Sequence, residues 1–224
     1  MTKGRFLICG LGNFGANVAM KLFEKDNEVI AVDVDEKKVR DAKDYVSEAI
    51  VADVSVKETL NQLNLINIDA AVISLGESRI DASILSTLLL KDLGIKKIIV
   101  KVISEEHARI VEKIGATEIV FPEQEAGLRL AERLCNPNLF DQIRLPENYT
   151  LAQLLAPKEL QGKSLKDAQI RTNYGITVVL ITRKKPGGEE ISIVPTPDDY
   201  VYDGDTLFVL GEHVFVEKFE GLKV

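Results

Sequence analysis

The chain has 224 residues, 46% hydrophobic and 28% charged, with a formal net charge of −7. That length suits one full domain and a smaller one, and the acidic balance argues against nucleic acid, whose phosphates call for a basic face. No apolar run approaches the ~18–20 residues that span a bilayer, so direct membrane insertion is not expected. Met1-Thr2-Lys3-Gly4-Arg5 leads into a strand pattern and not a signal segment. The two cysteines, Cys9 and Cys135, form no disulfide framework, and a cytoplasmic chain is expected.

The first part of the chain alternates short apolar runs with amphipathic ones. Strands are predicted over 6–9, 29–33, 48–52, 70–74, 98–102 and 118–121. They are almost continuously apolar, as strands covered on both faces are. Helices are predicted between them, over 14–24, 36–42, 56–63, 79–93 and 106–114, each with apolar residues at i, i+3, i+4 and i+7. The expected fold class is α/β, with a Rossmann-like parallel sheet of about six strands in residues 1–135, followed by a smaller α+β domain in 136–224.

Gly10, Gly12 and Gly15 stand directly behind the first strand, and Asp33 closes the second. Each has a separate physical task. Gly10 permits the tight turn, Gly12 lets the backbone approach a phosphate, and Gly15 lets the helix pack closely on the sheet. The helix opening at Asn13-Phe14 points its free N–H groups and positive end at an anion. Asp33, with Val34 beside it, can accept the ribose hydroxyls. A bound adenine nucleotide is therefore expected.

Three further places fall at the carboxyl ends of predicted strands, where ligands bind in open α/β sheets. Asp53 and Val54 could read the adenine edge, although Asp53 could equally cap the helix near 56. Ser74, Leu75 and Gly76 offer close backbone approach, and Lys101 could meet a phosphate or run out to solvent.

A break is expected at Cys135-Asn136-Pro137-Asn138, after a helical run over 123–134, with 123–140 as helix and linker. Beyond it, strands are predicted over 149–155, 176–182, 190–194 and 207–210, the second and third joined as a hairpin through Lys184-Lys185-Pro186-Gly187-Gly188. A closing helix is predicted over 214–219.

The glycine motif alone suggests a dehydrogenase, but the remaining sequence offers little chemistry. There are two histidines, His107 and His213, neither beside an Asp or Arg suited to hydride and proton transfer. His107 in Glu105-Glu106-His107 is read as part of an exposed helix face. No P-loop, nucleophile elbow or zinc spacing is present. The reading is a non-enzyme, a sensor in which ligand binding favours one arrangement over another. The alternatives are an NAD-dependent oxidoreductase and a nucleotide-dependent assembly module with another partner.

Several segments together carry a family resemblance. They are Gly10-Leu11-Gly12-Asn13-Phe14-Gly15, Ala31-Val32-Asp33, Leu88-Leu89-Leu90-Lys91, Glu112-Lys113-Ile114-Gly115-Ala116, Phe121-Pro122-Glu123, and Asp167-Ala168-Gln169-Ile170-Arg171 followed by Tyr174-Gly175. In this order the sequence resembles the KtrA/TrkA cytoplasmic regulatory subunits of bacterial potassium transport systems, built from RCK N-terminal and RCK C-terminal domains. The resemblance implies dimers assembling into an octameric ring on the inner face of the plasma membrane, docked on a membrane potassium transporter subunit. It implies gating by exchange of ATP and ADP, or of NAD(H). It also implies that Glu123 lies near the phosphates and helps to hold a metal or other cation. Ile170, Arg171 and Asn173, with Pro195 opposite, match a segment that binds cyclic di-AMP in some relatives, where an ordinary dimer contact is the other reading. One departure stands out. Where such proteins often carry an arginine after the second glycine, this chain has Asn13, whose uncharged amide weakens discrimination of ATP from ADP and opens the site to NAD(H) or AMP beside ATP and ADP, the first expectation.

Overall fold

The computed structural model describes residues 3–135, 139–185 and 187–222. Met1-Thr2, the Asn136-Pro137-Asn138 break and Pro186 of the hairpin loop lie outside the described residues. The chain divides into two compact units, Met1–Gln124 and Glu125–Val224.

In the first unit, strands and helices alternate: β1 (Arg5–Cys9), α1 (Asn13–Glu24), β2 (Glu28–Asp33), α2 (Glu36–Ala42), β3 (Glu48–Val51) and α3 (Lys57–Gln62). They continue through β4 (Ala70–Ile73), α4 (Ile80–Asp92), β5 (Ile98–Lys101), α5 (Glu105–Ile114) and β6 (Glu118–Val120). All adjacent pairs are parallel, in the order β3-β2-β1-β4-β5-β6. Strand order reverses direction between β1 and β4, the switch point where open sheets of this kind leave a crevice.

The apolar strand runs serve both faces at once. On β1, Leu7 and Cys9 pack on one side with Ile30, Val32, Ile73 and Val100, while Ile8 packs on the other with Val29, Ala31 and Val72. The period of two sends alternate side chains to opposite layers, which is why no polar residue interrupts these runs. Burial pushes the Cys9 thiol up to about 12, so it is a small apolar filler.

His107 does not lie on an exposed face. It is buried with Ala108 and Val111 on the inner stripe of α5, and its Nε2 lies 3.2 Å from Ser83 Oγ on α4. The cause is register: Ser104 caps α5, its Oγ accepting from the His107 N–H, which turns position 107 onto the face shared with Val111 one turn on. Desolvation lowers the His107 pKa and favours the neutral ring.

Helix α6 (Pro122–Cys135) begins in the first unit and continues into the second. The second unit then runs β7 (Leu139–Arg144), β8 (Tyr149–Leu155), α7 (Leu165–Ala168), α8 (Ile170–Tyr174), β9 (Ile176–Lys184), β10 (Glu190–Ile193), β11 (Thr206–Glu212) and α9 (His213–Glu220). Its five strands form an antiparallel sheet in the order β10-β9-β11-β8-β7. The Leu154, Ile181, Leu207, Val209, Val216 and Phe219 side chains form its core.

β7 corrects the linker reading of 123–140, since Phe140 belongs to a strand paired with β8. This is an edge strand whose Phe140 and Ile143 face outward, so its pattern lacks the apolar alternation that marks a half-buried strand. α7 and α8 were also illegible: each is a single turn or little more, and Gln169 between them adopts a left-handed φ of 47°.

Candidate functional site

The carboxyl ends of β1 to β5 surround a cleft of about 340 Å³. The loop after β1 supplies Gly10, Gly12, Asn13 and Phe14, and β2 supplies Val32, Asp33 and Val34. Asp53 and Val54 follow β3, Ser74, Leu75 and Gly76 follow β4, and Lys101 ends β5 beside Glu123. Of the residues expected in this region, Gly15 alone is outside the lining, because it works beneath it.

The three glycines are needed for different reasons. Gly10 has φ +97°, and a Cβ there would stand 2.3 Å from the Ser74 carbonyl oxygen. A Cβ on Gly15 would stand 2.0 Å from the Gly10 carbonyl oxygen. Both positions are closed to any side chain by the fold itself. Gly12 is different: its φ is an ordinary −70°, and a Cβ there would meet no protein atom within 4 Å. Nothing in the chain requires a glycine at 12, yet it leaves the backbone bare toward the cleft at the start of α1. That is the fit expected of a loop receiving a phosphate.

Asp33 is buried, and its carboxylate already organises this loop. Its Oδ2 accepts the Leu11 N–H at 2.6 Å, and its Oδ1 accepts the Asp35 N–H at 2.9 Å. Each carboxylate oxygen has a second lone pair, so acceptor capacity remains for ribose hydroxyls. The residues present therefore fit a nucleotide.

Asp53 does not cap a helix. α3 begins at Lys57 with Val56 at its cap position and no side-chain cap. Asp53 Oδ1 instead accepts from the Ser55 N–H and hydroxyl, at 3.0 and 2.6 Å, and Oδ2 accepts from Arg79 at 2.7 Å. Partial burial alone would raise the Asp53 pKa, but the Ser55 hydrogen bonds and the Arg79 guanidinium together hold it below the usual value. Lys101 does not run out to solvent, because its ammonium lies 2.6 Å from Glu123 Oε1. The hydrogen bond from Lys101 is the first cause holding the Glu123 carboxyl below its usual range.

Sequence reasoning missed Lys38 and Arg79, which also line the cleft. Lys38 lies on α2 with its ammonium 3.8 Å from Asp33 Oδ2, and Arg79 immediately precedes α4. Both are available from topology, since each stands at the start of the helix after a strand whose end was already selected. Within one chain the donors do not fit a divalent cation. Glu123 is a lone carboxylate engaged by an ammonium, and no cluster of three metal-ligating side chains occurs among the described residues.

In the second unit, Ile170, Arg171 and Pro195 line a groove of about 290 Å³ together with Leu165, Lys166 and Val178. Asn173 is outside that lining, and its amide donates to the Ala168 carbonyl at 3.1 Å.

An open sheet of this order, with a bare glycine loop and a buried acid at its switch point, defines a Rossmann-type module, joined here to a small antiparallel unit. The chain belongs to the family of the TrkA-N and TrkA-C domains, which match residues 6–122 and 151–222. It is 36% identical over 218 residues to Ktr system potassium uptake protein C of Bacillus subtilis (strain 168), covering 97% of this chain and 96% of that one. It is 35% identical over 216 residues to Ktr system potassium uptake protein A of the same organism, covering 96% and 95%. A solved structure described as the GsuK channel bound to NAD shares the fold, with a TM-score of 0.64 at 16% identity. That similarity covers 100% of this chain but only 40% of the longer channel chain.

Proposed function

We propose that this chain is a nucleotide-sensing regulatory subunit of a potassium uptake system, acting on a membrane transporter from its cytoplasmic face. The observation that carries the reading is the bare Gly12 backbone, at the start of α1 and facing a cleft that also presents Asp33. The end-to-end likeness to Ktr potassium uptake proteins supports the physiological setting. ATP, ADP, AMP and NAD(H) share the adenosine and phosphate that such a cleft would hold.

A signalling role is favoured over an oxidoreductase because neither histidine lines the cleft. His107 faces Ser83, and His213 bonds Thr150 and Glu217, so neither stands ready for proton transfer to a bound substrate. No helix among the described residues is long and apolar enough to cross a membrane. The subunits would self-assemble into dimers and an octameric ring, and α6, which buries none of its residues in the single chain and exposes Leu128, Leu130 and Leu134, offers apolar surface for contact between copies. The groove at Ile170, Arg171 and Pro195 is proposed as a second site, for a cyclic dinucleotide such as cyclic di-AMP.

Reconstitution of the chain with its transporter in liposomes tests this. Potassium flux should change when adenine nucleotides are exchanged, and flux indifferent to every nucleotide would overturn the sensing role.

A further inference from the structure

His107 is a polar ring set in an otherwise apolar stripe. Ala108 and Val111 are buried beside it, and α5 packs there against α4. The ring is 4% exposed, and Ser83 across the seam is 2% exposed. Of the Ser83, Ser86 and Thr87 hydroxyls on the buried stripe of α4, two are used within the helix. Ser86 donates to the Ala82 carbonyl at 2.6 Å and Thr87 to the Ser83 carbonyl at 2.7 Å. The Ser83 hydroxyl instead crosses to α5, 3.2 Å from His107 Nε2. The other ring nitrogen, Nδ1, is buried and has no hydrogen-bond partner among the described residues.

This arrangement suits a neutral ring only. A neutral imidazole has one donor and one acceptor nitrogen, and a hydroxyl can answer either. Protonation makes both nitrogens donors and adds a charge, and the buried Nδ1–H would find no acceptor. The charged groups of the packed elements are engaged or face solvent. On α5, Glu105 and Arg109 are exposed and Glu106 turns back to the Ser104 hydroxyl. On α4, Asp81 is exposed and Arg79 is held by Asp53. On β5 and β6, Lys101 is held by Glu123 and Glu118 by Lys97. Burial therefore lowers the His107 pKa from 6.5. A lowered folded-state pKa in a histidine contributes stability that is complete above about 6.5 and is lost as pH falls below it.

The seam is tied to the cleft along both helices. Ser83 stands one turn after Arg79, and His107 follows Lys101 by six residues through the Ser104 cap. Arg79 and Lys101 both line the cleft. We propose that the Ser83–His107 contact is an acid-released latch: when the ring takes a proton, the α4–α5 packing loosens and the cleft rim at Arg79 and Lys101 loses its fixed position. The consequence for ligand rests on the reading of the cleft as a nucleotide site, whereas the latch itself does not.

Hydrogen exchange of the full chain without ligand, corrected for the intrinsic pH dependence of amide exchange, tests the latch. Protection of the α4 and α5 amides should fall by up to about tenfold between pH 7.5 and 5.5, the limit set by one proton. His107→Gln, whose amide can keep the Ser83 bond but cannot titrate, should hold its protection across that range. An equal loss in His107→Gln, or none in the unaltered chain, would overturn the proposal. Should that variant not fold, NMR of the unaltered chain reads the ring itself, since only two histidines are present. The His107 ring should stay neutral until α4 and α5 lose protection, and a ring that protonates while both helices remain fully protected would overturn the latch. Titration with NAD+ at the two pH values then tests the link to the cleft. Binding should be about threefold weaker at pH 5.5 in the unaltered chain and equal at both values in His107→Gln. Binding by the unaltered chain that ignores pH would overturn that link. Absence of binding at either pH would overturn the nucleotide reading and leave the exchange test of the latch standing.

Discussion

In the large unit Asp33 accepts two backbone N–H groups and lies 3.8 Å from the nearest ammonium. In the small unit Asp205 is fully buried and accepts two hydrogen bonds from Arg183, both 2.7 Å, and a third from the Tyr202 N–H at 2.8 Å. Arg183 in turn lies 4.2 Å from the Tyr202 ring centroid. Both aspartates are removed from bulk water, but Asp205 takes three hydrogen bonds from its own unit, two of them from a guanidinium, where Asp33 takes two from backbone N–H groups. The difference separates a group that builds a scaffold from one that holds a loop in place and still faces a cleft. The same contrast runs through the sheets. A parallel sheet brings the ends of several strands to one rim, where polar groups from distant positions converge. The antiparallel sheet spends its polar groups on joining its own turns.

The comparison can be broken most forcefully at Asp205. Asp205→Ala should cost the small unit about 3–5 kcal/mol in chemical denaturation, since it strands a guanidinium held by a bidentate pair. A loss below about 1 kcal/mol would refute the scaffold role.

In the large unit, Gly15→Ala should cost about 2–3 kcal/mol, because its Cβ would stand 2.0 Å from backbone that cannot swing aside. Thermal or denaturant unfolding reads this directly, and an unchanged midpoint would mean the turn is looser than described.

In the small unit, pH acts through Glu220. Burial first, then the nearby charges of Glu217 and Glu132, push the Glu220 carboxyl from 4.5 up to about 7. A raised folded-state pKa contributes stability that is complete below about 4.5 and is lost as pH rises toward 7 and beyond. After allowance for solvent screening the loss is on the order of 1 kcal/mol. Glu220→Gln should flatten that slope in denaturation curves taken across this range, and a slope that persists would place its origin elsewhere.

The smallest expected effect is at the groove of the small unit. Arg171 is exposed there, so Arg171→Ala should change stability by no more than about 0.5 kcal/mol. It should weaken binding of a cyclic dinucleotide measured by titration, and unchanged binding would remove Arg171 from that site.

The parts of this account legible in the sequence are those where one residue answers one local demand. Six apolar runs became six parallel strands; Gly10 and Gly12 are neighbours because a strand end and a helix start are adjacent in the chain, and Asp33 joins them because β2 pairs with β1 in parallel. Pairs formed across the sheet were not legible. Asp53 and Arg79 are 26 residues apart, and nothing local shows that one carboxylate engages the other's guanidinium. Lys38 is legible only after the helix carrying it is folded back beside Asp33. His107 was misread because its neighbours Glu105 and Glu106 suggested solvent, whereas the Ser104 cap sets which face turns inward. The edge strand β7 was missed for want of a buried alternating face.

The central claim is that Gly12 is bare for a ligand and not for the fold, and Gly12→Ala tests it most directly. The substituted chain should unfold within about 0.5 kcal/mol of the unaltered one, because its methyl meets no protein atom within 4 Å. Its thermal stabilisation by saturating NAD+ or ADP should nevertheless be lost. A Gly12→Ala chain that is stabilised by these nucleotides as fully as the unaltered protein would contradict the account.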